Sequence, residues 1–318
     1  MQNTDTIVLD ELPTATKPPT GARRRRASRS DAPRNRRNGA PAALQVVAYV
    51  VLTLGALAAL TPFIWMVATS FKEPQDVFTR TPSLLPLDSQ TGAWAGTLDN
   101  FREVLGLGGF TTAMINSVIV VFVLVPGKLL LDALAAYAFA RIEFPGRDIL
   151  FMVILATMMV PGVALLIPKV FITQELGMGD SLSGIIVPNL IAAFDIFLLR
   201  QFFLTIPKEL EEAAMLDGAS RMRIFWSVAL PLAKPALAVV TITSFIYHWN
   251  DLLWPLVILS DQDKYTLPLA LQALVSGRVA QPHLVMAGAV VAVMPVIAIF
   301  LIFQRKILDG IAMTGLKG

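Results

Sequence analysis

The chain has 318 residues, of which 55% are hydrophobic and only 15% charged; a soluble domain carries about 25% charged residues, so this is the composition of a membrane protein. It contains no cysteine and two histidines, His248 and His283, which excludes disulfides and thiol chemistry and leaves little material for a metal centre. The formal net charge of +3 is uneven: residues 1–40 hold nine Lys/Arg against four Asp/Glu, and the remainder holds 17 against 19.

In chain order, residues 1–43 form a basic tail with Arg23, Arg24, Arg25, Arg26, Arg29, Arg34, Arg36 and Arg37 set among Pro, Ser, Asn and Gly. Such a segment buries too little apolar surface to offset its ordering entropy, so disorder is expected. Its arginines suit a cytoplasmic anchor near anionic lipid better than a nucleic-acid site. Six stretches then reach the roughly 20 apolar residues that a bilayer span needs: 44–69, 113–140, 149–172, 183–203, 235–259 and 284–303. The first is too long for a signal-peptide core and is expected to stay as an anchor. With the tail inside, the inner loops carry ten Lys/Arg against six outside (Lys72, Arg80, Arg102, Lys169, Lys264 and Arg278). The bias toward inner cations places both termini and the segment 204–234 in the cytoplasm.

Outside, residues 71–112 are expected to form an irregular cap with a short helix near 98–105, and the loop 260–283 a short apolar helix over 267–274. Pro62, Pro126, Pro161, Pro188 and Pro295 lie within the spans, where each interrupts the backbone ladder. Ionisable groups at membrane depth are costly and need partners or a task. Lys128 and Asp132 stand four apart and meet on one helix face. Asp195, near Asn189, is expected to face protein or a water-filled cavity. His248, Trp249, Asn250 and Asp251 form the densest polar–aromatic cluster, of the kind that packs on a sugar ring and reads its hydroxyls. The candidate pathway set is therefore Asp132, Asn189, Asp195, Trp249 and Asn250.

Between the fourth and fifth spans lies the patterned polar segment of the chain. Pro207 fits a first helical position, and Glu209, Glu211 and Glu212 follow in the first turns, where the helix dipole favours carboxylates. Gly218 supplies a left-handed stop. Ser220 suits the cap of a second short helix carrying Met222, Phe225, Trp226 and Val228, which Pro231 and Pro235 are expected to end.

The run Glu212-Ala213-Ala214, then Asp217-Gly218-Ala219, Phe225, Val228, Leu230-Pro231 and Pro235 resembles the EAA loop of binding-protein-dependent ABC import permeases. Outside this loop the resemblance extends from about residue 71 to 318. Asn116-Ser117, the run 134–147 that ends in Phe144-Pro145-Gly146-Arg147, residues 199–203, Trp249-Asn250-Asp251, Thr266-Leu267-Pro268 and Gln304-Arg305 are similar to the carbohydrate-uptake branch, specifically its maltose-type second permease subunit. The family often has Glu where Asp251 stands.

The resemblance implies an all-α polytopic membrane protein with six transmembrane helices and the type I ABC importer permease fold. The chain would divide into the tail 1–43, a first span with extracytoplasmic loop 44–112, a permease core 113–304 containing the EAA loop 205–235, and a cytoplasmic tail 305–318. It implies a multi-pass cell-membrane subunit that works with a second permease, two cytoplasmic ATPases and an extracytoplasmic sugar-binding protein. Glu212 would pair with a basic residue of the ATPase, Ala213 and Ala214 would admit its surface closely, and Asp217, Gly218, Leu230 and Pro231 would complete the coupling set. No catalytic residue, cofactor or metal is expected. No Walker motif or zinc-type His/Glu spacing is present, so ATP hydrolysis falls to another chain. The competing reading, a secondary transporter or channel with Lys128, Asp132 and Asp195 as its relay, leaves the patterned loop without a purpose.

Overall fold

The structure, a computed structural model, describes residues 42–78, 83–277 and 281–315. The basic tail expected over 1–43 therefore lies almost wholly outside the described residues. The chain divides into two units between Ala56 and Leu57, and of the first only the helical turns 42–56 are described. Among the described residues the regular structure is helical, with one isolated antiparallel bridge between Leu87 and Trp94.

Helix α1, Ala42–Ser70, keeps Pro62 in its interior without a break. Asn100 secures the chain where α1 ends: its Nδ2 donates to the carbonyls of Ser70 and Lys72 at 2.9 and 2.8 Å, groups that a helix C-terminus leaves without partners. The expected cap contains α2, Pro74–Val77, and α3, Asp99–Gly106, the second within a residue of its expected place. Helix α4, Phe110–Arg141, has 32 residues and runs for about 48 Å at 1.5 Å per residue. Gly109 at φ 91° starts it, and Arg141 puts a cation at the negative end of its dipole. Two apolar cores lie along α4. Its Val120, Val121 and Leu124 pack with Phe245, Trp249, Trp254 and Leu284, and its Ala133, Ala136 and Tyr137 pack with Leu199, Phe203 and Phe225.

The remaining spans are less regular than hydropathy suggests. The stretch 149–172 is two helices, α5, Arg147–Thr157, and α6, Leu166–Glu175, which follows a 3-10 turn; the two arms meet at 96°. Pro161 explains the break: it has no N–H and disfavours the helical conformation of the residue before it. Helix α7, Leu182–Ile186, leads through a 3-10 turn at Pro188 into α8, Ala193–Thr205, with a 41° bend.

Next come α9, Lys208–Leu216, and α10, Arg221–Ile224. A single π turn, Phe225–Ala229, joins α10 to α11, Leu230–Leu232. The second short helix is thus not ended by Pro231. It continues to Leu232 and turns by 78° at Ala233 into α12, Lys234–Trp249. Pro235 stands near the start of α12, where a proline removes no needed donor, whereas Pro231 lies inside the continuous run from α10 and follows the π turn directly.

The fifth span, expected to reach 259, stops at Trp249. Asp251 accepts the backbone N–H of Trp254 at 3.3 Å, which draws the chain out of α12 and into α13, Leu253–Ile258. Helix α14, Leu267–Val275, is the expected short apolar helix, and α15, Pro282–Gly315, closes the chain. Among the described residues three unbroken helices are long and apolar enough to cross a bilayer, and the number rises to at most six if each of three bent pairs counts as one span; the third pair, Arg221–Leu232 with Lys234–Trp249, does not coincide with the expected stretch 235–259.

Candidate functional site

The segment from α9 to α11 is built from two local stops. Gly218 adopts φ 82°, the left-handed conformation that only glycine adopts at little cost. Its N–H reaches Met215 O at 3.0 Å and the next N–H, of Ala219, reaches Ala214 O at 2.9 Å, the paired bonds of a Schellman ending. Ser220 Oγ then accepts the N–H of Arg223 and caps α10. Pro207 sits one position before the helix, as the residue preceding Lys208, rather than as its first member.

The two faces of this segment differ sharply. Ile224, Phe225 and Ala229 are buried, and Phe225 and Ala229 pack with residues of α4 and α8. On the other side Glu212, Ala213, Asp217, Gly218 and Pro231 are exposed, Ala214 and Leu230 partly so. Beside them Leu216 is 90% exposed and Met222 and Trp226 more than half exposed.

Glu211, read from the sequence only as a carboxylate favoured by the helix dipole, points inward. Its Oε1 lies 2.9 Å from Arg141 Nε, with both side chains under 5% exposed, an ion contact without the alignment of a hydrogen bond. Tyr137 Oη donates to Glu211 Oε2 at 3.1 Å. Tyr137 and Arg141 are one turn apart on α4, and that spacing was the available signal for a shared partner.

Between the two cores lies a second buried network. Lys128 Nζ donates to Asp132 Oδ2 at 2.6 Å, as the four-residue spacing predicts, and also pairs with Asp195 on α8. Asp132 Oδ1 accepts the N–H of Ala192 at 3.1 Å, and Asp195 Oδ2 accepts Ser244 Oγ at 3.2 Å. Asp132 is fully buried and Asp195 is 6% exposed, so this network ties α4, α8 and α12 together.

The polar–aromatic cluster at the end of α12 does not converge. Trp249 is buried, stacks on Phe245 and donates to Ala292 O of α15 at 2.9 Å. Asn250 is exposed and turns back to Ile246 O at 2.8 Å. His248 stands perpendicular to the neighbouring Tyr247 ring, with centroids 5.0 Å apart, and lies within electrostatic reach of Lys128, Lys169 and Asp195. Asn189 is half-buried and accepts from Lys169 Nζ at 2.7 Å, and Lys169 also lies 4.2 Å from the centre of the Trp254 ring. Lys169, counted above among outer-loop cations, is the fourth residue of α6. A cavity of about 380 Å³ opens beside it, lined by Leu165, Pro168, Ile172, Val187 and Pro188, a surface too apolar to read hydroxyls.

Two clasps on the loop residues 260–267 were not visible as contacts in the sequence. Asn116 Nδ2 donates to the carbonyls of Asp263 and Tyr265, and Ser117 Oγ accepts the N–H of Leu267 at 2.7 Å, which fixes the start of α14 on α4. Asp180, at φ 47°, accepts the N–H groups of Ser260 and Asp261 and pairs with Lys264 at 2.9 Å. The Lys264 ammonium and these two N–H groups hold its carboxyl down to about 2, and the same contact raises the Lys264 ammonium.

Comparison with known proteins places this architecture. Residues 129–311 match the family described as binding-protein-dependent transport system inner membrane component. The chain is 34% identical over 275 residues to the sn-glycerol-3-phosphate transport system permease protein UgpE of Yersinia enterocolitica, covering 84% of this chain and 96% of that protein. It is 33% identical over 273 residues to the arabinooligosaccharides transport system permease protein AraQ of Halalkalibacterium halodurans, with the same two coverages. Its fold superposes with a TM-score of 0.73 on a chain of a bacterial ABC transporter involved in the import of the acidic polysaccharide alginate, at 29% identity over 83% of this chain and 96% of that one. The chain therefore belongs to the binding-protein-dependent inner membrane permeases and is a membrane permease subunit of an ABC-type transporter.

Proposed function

We propose that the chain forms half of the translocation pathway of an ATP-driven importer for a carbohydrate or a comparable polyhydroxylated solute. The observation that carries this reading is the outward face of α9 and α10. Leu216, Met222 and Trp226 stand exposed beside Glu212 and Ala213 on a segment too polar to sit in lipid, and clustered exposed apolar side chains mark a protein docking surface. A cytoplasmic ATPase is the occupant that fits the family. Glu212 pairs with a basic residue of that ATPase, Ala213 and Ala214 admit its backbone, and Asp217 and Gly218 set the angle between the two short helices. Leu230 and Pro231 lead the segment toward α12.

The remaining partners are a second permease, a second ATPase and an extracytoplasmic binding protein that delivers the solute. The subunit resides in the cell membrane with both termini and α9–α11 on the cytoplasmic side. The solute class is supported by relatives named for glycerol phosphate and arabinooligosaccharide transport and by a structural neighbour that imports alginate. Of the five pathway candidates, Asn189 and Asn250 keep surface for a solute hydroxyl. Asp132, Asp195 and Trp249 instead shape the pathway by holding its helices together. Coupling then needs an element with two states that both nucleotide and solute bias. ATP closes the ATPase pair, α9–α11 follow, and the attached spans open outward.

Two substitutions test the docking. Gly218→Pro cannot adopt φ 82°, and Glu212→Arg reverses the charge presented to the ATPase. Each is expected to reduce binding-protein-dependent uptake to background while the permease stays at normal level in the membrane. Near-normal uptake by either variant contradicts the proposal.

A further inference from the structure

Arg141 is the last residue of α4, and its side chain is only 3% exposed. Its guanidinium touches three separate pieces of chain. Nη2 donates to Phe203 O at 2.7 Å, in the last turn of α8, and to Ile206 O, in the link between α8 and α9. Nε meets Glu211 of α9. Four residues earlier, Tyr137 bonds the other Glu211 oxygen and lays its ring against Phe203 and Phe225, with centroids 5.7 and 5.2 Å away.

Without these contacts the link would be loose. Ile206 and Pro207 are both extended, with ψ of 130° and 131°, so two residues of single-stranded backbone separate the rigid helix α8 from α9. A planar fork with several fixed N–H groups can hold two carbonyls and a carboxylate at once, which a lysine ammonium on a flexible stem cannot do in the same geometry.

We propose that Arg141, Glu211 and Tyr137 are the joint that makes α4, α8 and α9 move as one body. Displacement of α9 by a docked ATPase is then delivered to the helices of the pathway instead of being absorbed in the 206–207 link. Arg141 and Tyr137 are positioning residues: they touch neither ATPase nor solute. The inference rests on the reading of 205–235 as the docking segment.

The chain has no cysteine of its own, so spin labels at Glu143→Cys and Glu209→Cys, both exposed, report the separation of the α4 end from α9 in the whole transporter. Measurements compare the nucleotide-free complex with the complex trapped by ADP and vanadate. The expected result is one narrow distance, the same in both states. In the double variant Arg141→Met, Glu211→Leu, which leaves no unpaired buried charge, the trapped-state distance is expected to shift or broaden while the ATPase still co-purifies. A shift of more than about 5 Å, one helical turn, between states in the parent chain overturns the joint. So does a double variant that keeps the parent distribution in both states. If the double variant does not assemble, the parent measurement decides alone. A parent chain that never retains an ATPase counts against the docking reading, not against the joint.

Discussion

Lys128 shows how this bundle treats a buried charge: one ammonium between two carboxylates, with side-chain exposures of 5, 0 and 9% for Lys128, Asp132 and Asp195. Removing it leaves Asp132 and Asp195 without their counter-charge. We expect Lys128→Met to cost about 3–5 kcal/mol, the range for a broken buried pair. Asp195→Asn, which keeps the Lys128–Asp132 pair, is expected to cost about 1–2 kcal/mol. Thermal unfolding of the purified chain in detergent ranks the two, and equal melting temperatures would contradict the network. Half of this network was legible beforehand, because Lys128 and Asp132 share one helix face. Asp195 was not, since 67 residues separate it from Lys128 and only the packing of α8 on α4 brings them together. Glu211 escaped for the same reason. Three glutamates open α9, and nothing local distinguishes the one that turns inward from Glu209 and Glu212, which stay exposed.

Among the elements, the short helices α9, α10 and α14 were the most readable: a glycine that must be left-handed ends the first, a serine caps the second, and a short apolar run marks the third. The bends were less so. Proline marks a weak point in a span without saying whether the helix breaks, and Pro62, Pro126 and Pro295 lie within continuous helices while Pro161 stands at a 96° turn. Loop clasps were unreadable, since Asp180 and Lys264 lie 84 residues apart. Their contact has a defined response to pH. The carboxyl of Asp180 is depressed from 3.8 to about 2, so its contribution is fully present above 3.8 and is lost only as pH falls through about 2. Protection of the Ser260 and Asp261 amides against hydrogen exchange should therefore stay level from pH 7 down to 4. Asp180→Ala should lower that protection about tenfold at pH 7. An alanine variant with unchanged protection would show that the clasp does not order the loop.

At the scale of the whole molecule, apolar stretches of bilayer length revealed a membrane protein and located its hydrophobic segments, while the spacing of a polar loop pointed to its family. Neither could reveal that α4 threads two cores with a buried ion network between them, because burial is decided by which helices meet. That arrangement gives the chain one tightly knit end, where α4, α8 and α9 share Arg141, and an opposite end where the first core and the loop clasps hold α14 and α15. On the proposed function, a docked ATPase would grip the first of these ends. The most direct test is a photoactivatable cross-linker on Ala213→Cys, in membranes containing the complete transporter. The account predicts capture of a chain that binds ATP, from the cytoplasmic side, with a yield that changes when nucleotide is added. Labelling of Ala213→Cys only by reagents confined to the exterior, or cross-linking that captures no ATP-binding chain, would contradict it.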